Sequence, residues 1–202
     1  MEARRRTLAR LLMLPFTAAA TAFGATAVAA AANPGPAPGA GGRDRYAADR
    51  AEVEDLHARY LFALDWQDAD AYAATFAEDG VLDWAQGVVR GREAIRALVH
   101  DMKAAVDKQA AAEAPLRPAR RRHFVTNTVL SVQGDQAKSV AYWFEYYNDN
   151  PDRHATSPGY GHYEDELRRV DGRWLFTRRK IYNEVIADHA AGAQNPVRRF
   201  KL

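Results

Sequence analysis

Two residues in this chain have the types and the setting for proton chemistry. Asp65 closes an amphipathic stretch with helical periodicity, and His123 opens a run that alternates apolar and polar residues. A carboxylate that accepts from one imidazole nitrogen fixes the ring's tautomer and raises the basicity of the other nitrogen. In an apolar pocket such a pair is a general base, able to take a proton from carbon beside a carbonyl or a leaving group. The bland alternative is an Asp at a helix end and an ordinary strand His.

Other polar side chains fall near this pair on simple periodicity. Period two puts His123, Val125, Asn127 and Val129 on one strand face, so Asn127 is read either as a substrate contact beside His123 or as a satisfied polar residue near a sheet edge. Tyr163 shares a face with Asp165, Leu167 and Arg169; its hydroxyl either donates to a developing oxyanion or belongs to a cross-strand aromatic pair. Tyr60 lies on an apolar helical stripe, with core packing and a pocket-facing hydroxyl as its two readings. The run Arg117, Arg120, Arg121, Arg122 abuts His123 and reads as a solvated loop or as a contact for an anionic substrate at a cavity mouth. His162, Glu164 and Glu166 spread over about 13 Å of one strand, too far for a single ion, so no metal is expected. Nor is there a Gly-rich phosphate loop or a nucleophile elbow, and no cofactor is expected.

The elements that must position these residues come in two blocks. Val53, Leu56, Tyr60, Leu61 and Leu64 recur at helical spacing and predict a helix over Ala48–Leu64. Asp68 is the expected N-cap of a second short helix holding Tyr72 and Phe76 and ended by Glu78-Asp79-Gly80. A short strand at Val81–Trp84 follows, and then a third helix from Gly91 carrying Ile95, Leu98, Val99, Met102 and Val106. Strands are expected at Phe124–Val132 and Lys138–Tyr147, joined at Gly134-Asp135. Two more, Gly161–Val170 and Arg173–Asn183, are joined at Asp171-Gly172. Helices followed by an antiparallel meander predict an α+β domain, a strongly curved antiparallel or mixed sheet wrapping three N-terminal helices around an apolar pocket. The strand segment Tyr142–Tyr147 is apolar on both faces. One face is expected to line the cavity and the other to pack outward, either against a second copy, as in the dimers or trimers that the resemblance given below implies, or under a helix of a monomer.

The ends read differently. Arg4, Arg5, Arg6 and Arg10 precede an uncharged stretch, Leu11–Ala32, that closes on repeated alanines, so residues 1–32 predict an export signal. Arg5-Arg6-Thr7-Leu8 is similar to a twin-arginine signal. A periplasmic or extracellular, cleaved protein without stable membrane association is expected, with a retained anchor as the competing reading. Residues 33–45 are a Pro/Gly-rich linker, 46–190 the domain and 191–202 a tail. The formal net charge is +2; the first 32 residues hold four Arg and one Glu, leaving −1 for the remainder, a balance that implies no nucleic-acid partner. The chain has no cysteine, so the core must hold without disulfides.

The segments RYLFALDWQDADAYAATFAEDGVL and GHYEDELRRVDGRWLF, in this order, resemble the SnoaL-like branch of the nuclear-transport-factor-2-like (NTF2-like) superfamily. The resemblance implies a cone-shaped fold that hosts dehydratases, isomerases, polyketide cyclases and plain binding modules. Scytalone dehydratase and hexachlorocyclohexane dehydrochlorinase place an Asp at the end of the first helix against a His at the start of a central strand; Asp65 and His123 match those places. The chain departs from scytalone dehydratase in having Leu64 where that enzyme has a Tyr, and in lacking a second His within 138–147.

These features together predict a cofactor-independent lyase or isomerase, dehydratase-like, acting on a small hydrophobic molecule. His123 is then the general base, Asp65 its orienter, and Tyr60, Asn127 and Tyr163 the substrate contacts. A polyketide cyclase-like enzyme and a non-catalytic binding or assembly module are the alternatives.

Overall fold

The computed structural model describes residues 40–199; the expected export signal and most of the linker lie outside the described residues. Helix α1 spans Ala40–Trp66 and α2 Ala69–Ala74. Strands β1 (Phe76–Trp84) and β2 (Gly87–Arg90) precede helix α3 (Arg92–Ala112). The long strands β3 (Arg121–Gln133), β4 (Gln136–Tyr147), β5 (Tyr160–Val170) and β6 (Arg173–Asn183) complete the fold. They form one six-stranded sheet in the order β2-β1-β6-β5-β4-β3, antiparallel throughout except for the parallel β1–β6 pair. Among the described residues no helix is long and apolar enough to cross a membrane.

Three boundaries differ from expectation. Helix α1 begins at Ala40 rather than Ala48 and takes in the end of the linker. Each added residue gains a backbone hydrogen bond once the helix is nucleated, so the packed segment from Asp49 onward propagates outward through Gly41 and Gly42. The Tyr46 hydroxyl steadies this extension by donating to the Leu130 carbonyl at 3.4 Å. Phe76 opens β1 instead of closing α2, because Phe76 pairs with Phe176 and the ladder resumes at Val81 after an irregularity. Strand β2 has no expected counterpart: Val88 and Val89 are too short a run to register as a strand, and they form one by pairing with the end of β1.

The apolar stripe of α1 does what its spacing requires. Val53, Leu56, Tyr60 and Leu61 are buried against Phe76, Trp174 and Phe176 from the sheet, with Ile95 and Val99 of α3 closing the other side. Within this core sits a fully buried polar cluster. Asp165 on β5 accepts from Arg179 Nε and Nη2 on β6, both at 2.8 Å. The Ser139 hydroxyl and His57 Nε2 each lie 3.1 Å from the same carboxylate. Burial opposes ionisation of Asp165, but the Arg179 charge and its paired hydrogen bonds outweigh it and hold the carboxyl down at about 2.

Breaking a buried ion pair by removing one partner leaves an uncompensated charge and costs about 3–5 kcal/mol. Asp165→Ala is therefore expected to lower unfolding stability by about that amount in urea denaturation, with the dependence on urea unchanged. A loss below about 1 kcal/mol would show that Arg179 reaches water or another partner.

Candidate active site

Asp65 owes its position to the way α1 stops. Gln67 adopts a left-handed conformation (φ 55°), its N–H bonds the Leu64 carbonyl at 3.1 Å, and the Asp68 N–H bonds the Ala63 carbonyl at 2.9 Å. This double closure is a Schellman turn made without glycine. Asp68 then caps α2, its side chain accepting from Ala71 N–H at 3.0 Å. Asp65 is left in the last helical turn, where exposed carbonyls make the potential negative and a carboxylate is disfavoured by about 0.3–1 kcal/mol. A carboxylate placed against that gradient needs a cationic or N–H partner.

His123 supplies both. Asp65 Oδ2 accepts the backbone N–H of His123 at 2.9 Å, and Oδ1 lies 2.6 Å from Nδ1 of its ring. Strand β3 is a sheet edge, so this N–H points away from β4 and the carboxylate caps it. An ionised carboxylate only accepts, which assigns a proton to Nδ1.

The other ring nitrogen is not free. Glu145 on β4 stands directly opposite His123 in the ladder, and its Oε2 lies 3.2 Å from Nε2 and 3.0 Å from Nε of Arg121. The expectation of a bare nitrogen facing the cavity is thus corrected: the imidazole sits between two carboxylates. Gly159 makes room for this, since a Cβ there would come within 2.7 Å of Glu145 Oε1.

A bulge sets that pairing. Register runs Val129↔Val140 on one side and Thr126↔Tyr142 on the other, with Asn127 (φ 55°) in the extra position. The added residue reverses the facing of everything before it. His123 and Val125 turn inward on one side of it, Leu130 and Val132 on the other. Asn127 itself is exposed and outside the cavity lining, its side chain bonded to the Thr126 hydroxyl at 3.0 Å. The expected role for Asn127 as a substrate contact fails here, because strict period two does not survive a bulge.

The site lies in a cavity of about 660 Å³. Tyr60, Tyr72 and Tyr163 line it from the buried end, and Trp66, Val185 and Ile186 are exposed at the other. Tyr60 and Tyr163 are each buried and in ring contact with neighbours, and each lines the cavity. Burial raises the pKa of all three phenols, Tyr72 and Tyr163 most, so they stay protonated. The Tyr72 hydroxyl donates to that of Tyr60 at 2.7 Å. Among the described residues no group of three or more His, Asp or Glu side chains is arranged to hold a metal ion; Asp65 and Glu145 point at opposite nitrogens of one ring rather than at a common centre.

Glu145 and the Asp165–Arg179 cluster were absent from the residue-level expectations, and Arg121 entered them only as part of the basic run before His123. One signal pointed to the first: Glu145 is the single acidic residue in the aromatic run Tyr142–Tyr147.

The family follows from sequence. Residues 45–180 match the SnoaL-like domain model, and the chain belongs to that family. Among curated proteins no relative matches the chain. Solved structures share its NTF2-like, cystatin-like fold. A single-residue variant of a Mycobacterium tuberculosis protein of unknown function has a TM-score of 0.62 at 27% identity, covering 77% of this chain and 84% of that one. An NTF2-like protein from Novosphingobium aromaticivorans has 0.56 at 25%, covering 78% and 90%. A Catenulispora acidiphila protein in complex with S-DNPA has 0.54 at 28%, covering 68% and 95%.

His123 and His57 titrate in opposite senses. Burial works against charge on His123, but Asp65 and Glu145 outweigh it and raise its pKa above 6.5. Burial dominates at His57 and lowers its pKa below 6.5. Protonation of His123 therefore stabilises the fold fully below pH 6.5, and that contribution is lost as pH rises through its folded midpoint. His57 stays neutral and costs stability as pH falls below 6.5. An NMR titration of the imidazole rings is expected to place His123 above 6.5, to move it down in Glu145→Gln, and to leave His57 uncharged there. A His123 midpoint that Glu145→Gln leaves unmoved would remove the second carboxylate from the site.

Proposed function

We propose that this chain is a cofactor-independent lyase or isomerase of dehydratase type, acting on a small, largely apolar molecule bound in the cavity. The observation that carries the reading is the double hold of Asp65 on His123, ring and backbone together, inside a pocket that buried tyrosines line. His123 in its neutral form takes a proton from carbon. The C–H electron pair becomes a double bond, and the leaving group departs with a proton returned by the imidazolium. Asp65 holds the ring in one tautomer throughout. The O–H groups of Tyr60 and Tyr163 face the developing oxyanion. Substrate entry must loosen the Glu145 contact at Nε2, since that nitrogen is the one turned to the cavity. A structural neighbour, the Catenulispora acidiphila protein solved in complex with S-DNPA, supports ligand binding by this fold.

One observation favours a second reading. With Glu145 on Nε2 and Asp65 on Nδ1, the ring is also a satisfactory structural clasp, as in a binding module that has no chemistry. Export through residues 1–32 belongs to the same proposal and rests on the arginine-led apolar segment. So does self-association, which rests on the exposed ladder of Phe124, Tyr142 and Tyr146 on the outer sheet face.

The test begins with binding of a panel of small hydrophobic carbonyl and alcohol compounds, and follows each binder for turnover. In the enzyme reading, His123→Ala and Asp65→Asn each lower kcat/KM by a factor of about 10²–10⁴ with folding and binding retained. The rate rises with pH across the His123 midpoint, and Glu145→Gln moves that rise to lower pH. Binding without turnover in any of these proteins would leave the module reading standing.

A further inference from the structure

We propose that the cavity takes a planar organic acid, and that Arg122 holds its carboxylate at the rim beside the Asp65–His123 pair. This names a substrate class for the site above and rests on that reading for its chemistry, though not for binding.

Charge bookkeeping around the cavity is uneven. Its acidic lining residues are all engaged: Asp107 with Lys103 Nζ at 2.6 Å, Glu145 with Arg121 Nε at 3.0 Å, Asp65 with His123 Nδ1 at 2.6 Å. Arg120 and Arg122 line the same cavity and, among the described residues, meet no carboxylate. Arg120 Nη1 donates to the Ala119 carbonyl at 3.2 Å, and Arg122 Nη1 to the Arg121 and Asp65 carbonyls at 2.5 and 3.5 Å. A guanidinium stays charged at any physiological pH, so two uncompensated cations face the cavity and draw anions to it.

Arg122 is also held in a pose suited to recognition. Its guanidinium carbon lies 3.8 Å from the centroid of the Trp66 ring, which covers one face. What remains open is the edge formed by Nε and Nη2, whose two N–H groups match a carboxylate with two parallel hydrogen bonds. The Nη1 contact with the Asp65 carbonyl ties the guanidinium to the residue that grips the imidazole. Further in, Trp143 and Tyr163 are stacked at 6.0 Å and 16°, a flat wall against which a conjugated body can lie. Cationic edge, flat wall and proton-transfer pair together fit a planar acid better than a neutral or three-dimensional molecule.

The probes are 2-naphthoate and its neutral isostere 2-naphthamide, titrated against the purified chain by tryptophan fluorescence and calorimetry. Naphthoate is expected to bind at least about ten-fold more tightly than naphthamide, a charged hydrogen bond being the difference. The preference should shrink as salt rises. In Arg122→Gln, naphthoate should weaken at least about ten-fold while naphthamide stays within about two-fold, which also shows that the cavity is intact. Equal affinity for the two probes, a preference that survives Arg122→Gln, or no naphthoate binding at millimolar concentration would each overturn the proposal. Turnover is not read in this experiment. The anion preference can hold in a chain that proves catalytically inert, and it can fail in one that turns over neutral compounds.

Discussion

Arg179 carries a full positive charge on a side chain with no exposed surface, and much of the fold is arranged to permit this. Asp165 takes two of its N–H groups, and the rings of Tyr60, Tyr163 and Phe176 stand 3.9–4.1 Å from its guanidinium carbon. Cation–π attraction of this kind strengthens when water is excluded. Two of those rings are the tyrosines that line the cavity, so the same guanidinium that cross-links β5 to β6 also fixes the back of the pocket. His57 brings α1 to the Asp165 carboxylate and stacks near Phe176 at 5.6 Å. Helix, sheet and cavity lining therefore share one electrostatic centre. A hydrophobic replacement of the pair would fill the volume, but it would not orient the two phenols.

The second constraint is geometric and lies at the other end of the pocket. Strand β3 is long and at the sheet edge, where register is enforced from one side only. Without the bulge at Asn127 the ladder would bring His123 opposite Tyr146 and turn its ring toward the outer face. The extra residue sets it opposite Glu145 and points it at Asp65. Asn127 tolerates the left-handed backbone better than most residues, so its identity serves the site through conformation and not through contact.

Helix positions, strand pairs and turns were legible because they rest on local periodicity. The stripe from Val53 to Leu64 and the hairpins at Gly134-Asp135 and Asp171-Gly172 each encode their geometry within a few residues. Asp65 and His123 were legible only through resemblance, since nothing local in the chain links one to the other. Glu145 and Asn127 were misread for one shared reason. A single inserted residue changes facing and partner for half a strand, and no composition signal separates a bulged strand from a regular one. The Asp165–Arg179 pair was hidden differently. Arginine on an alternating strand reads as solvent-facing until the neighbouring strand is known to place an aspartate beside it.

The electrostatics of the site then follow from where its charges are allowed to be. Asp65 sits at the negative end of α1, which by itself disfavours a carboxylate there; the His123 amide and ring keep it inward. Glu145 is buried, and burial alone would raise its pKa; His123 and Arg121 outweigh that and lower it. The imidazole lies between the two carboxylates, and together they raise its pKa against the effect of burial. A ligand that draws Glu145 away from Nε2 changes that ring's basicity as it binds. A molecule carrying its own negative charge would restore to His123 part of what displacement of Glu145 removes. In the proposed reading, the rim arginines and the Asp65–His123 pair act on one another through the occupant of the cavity.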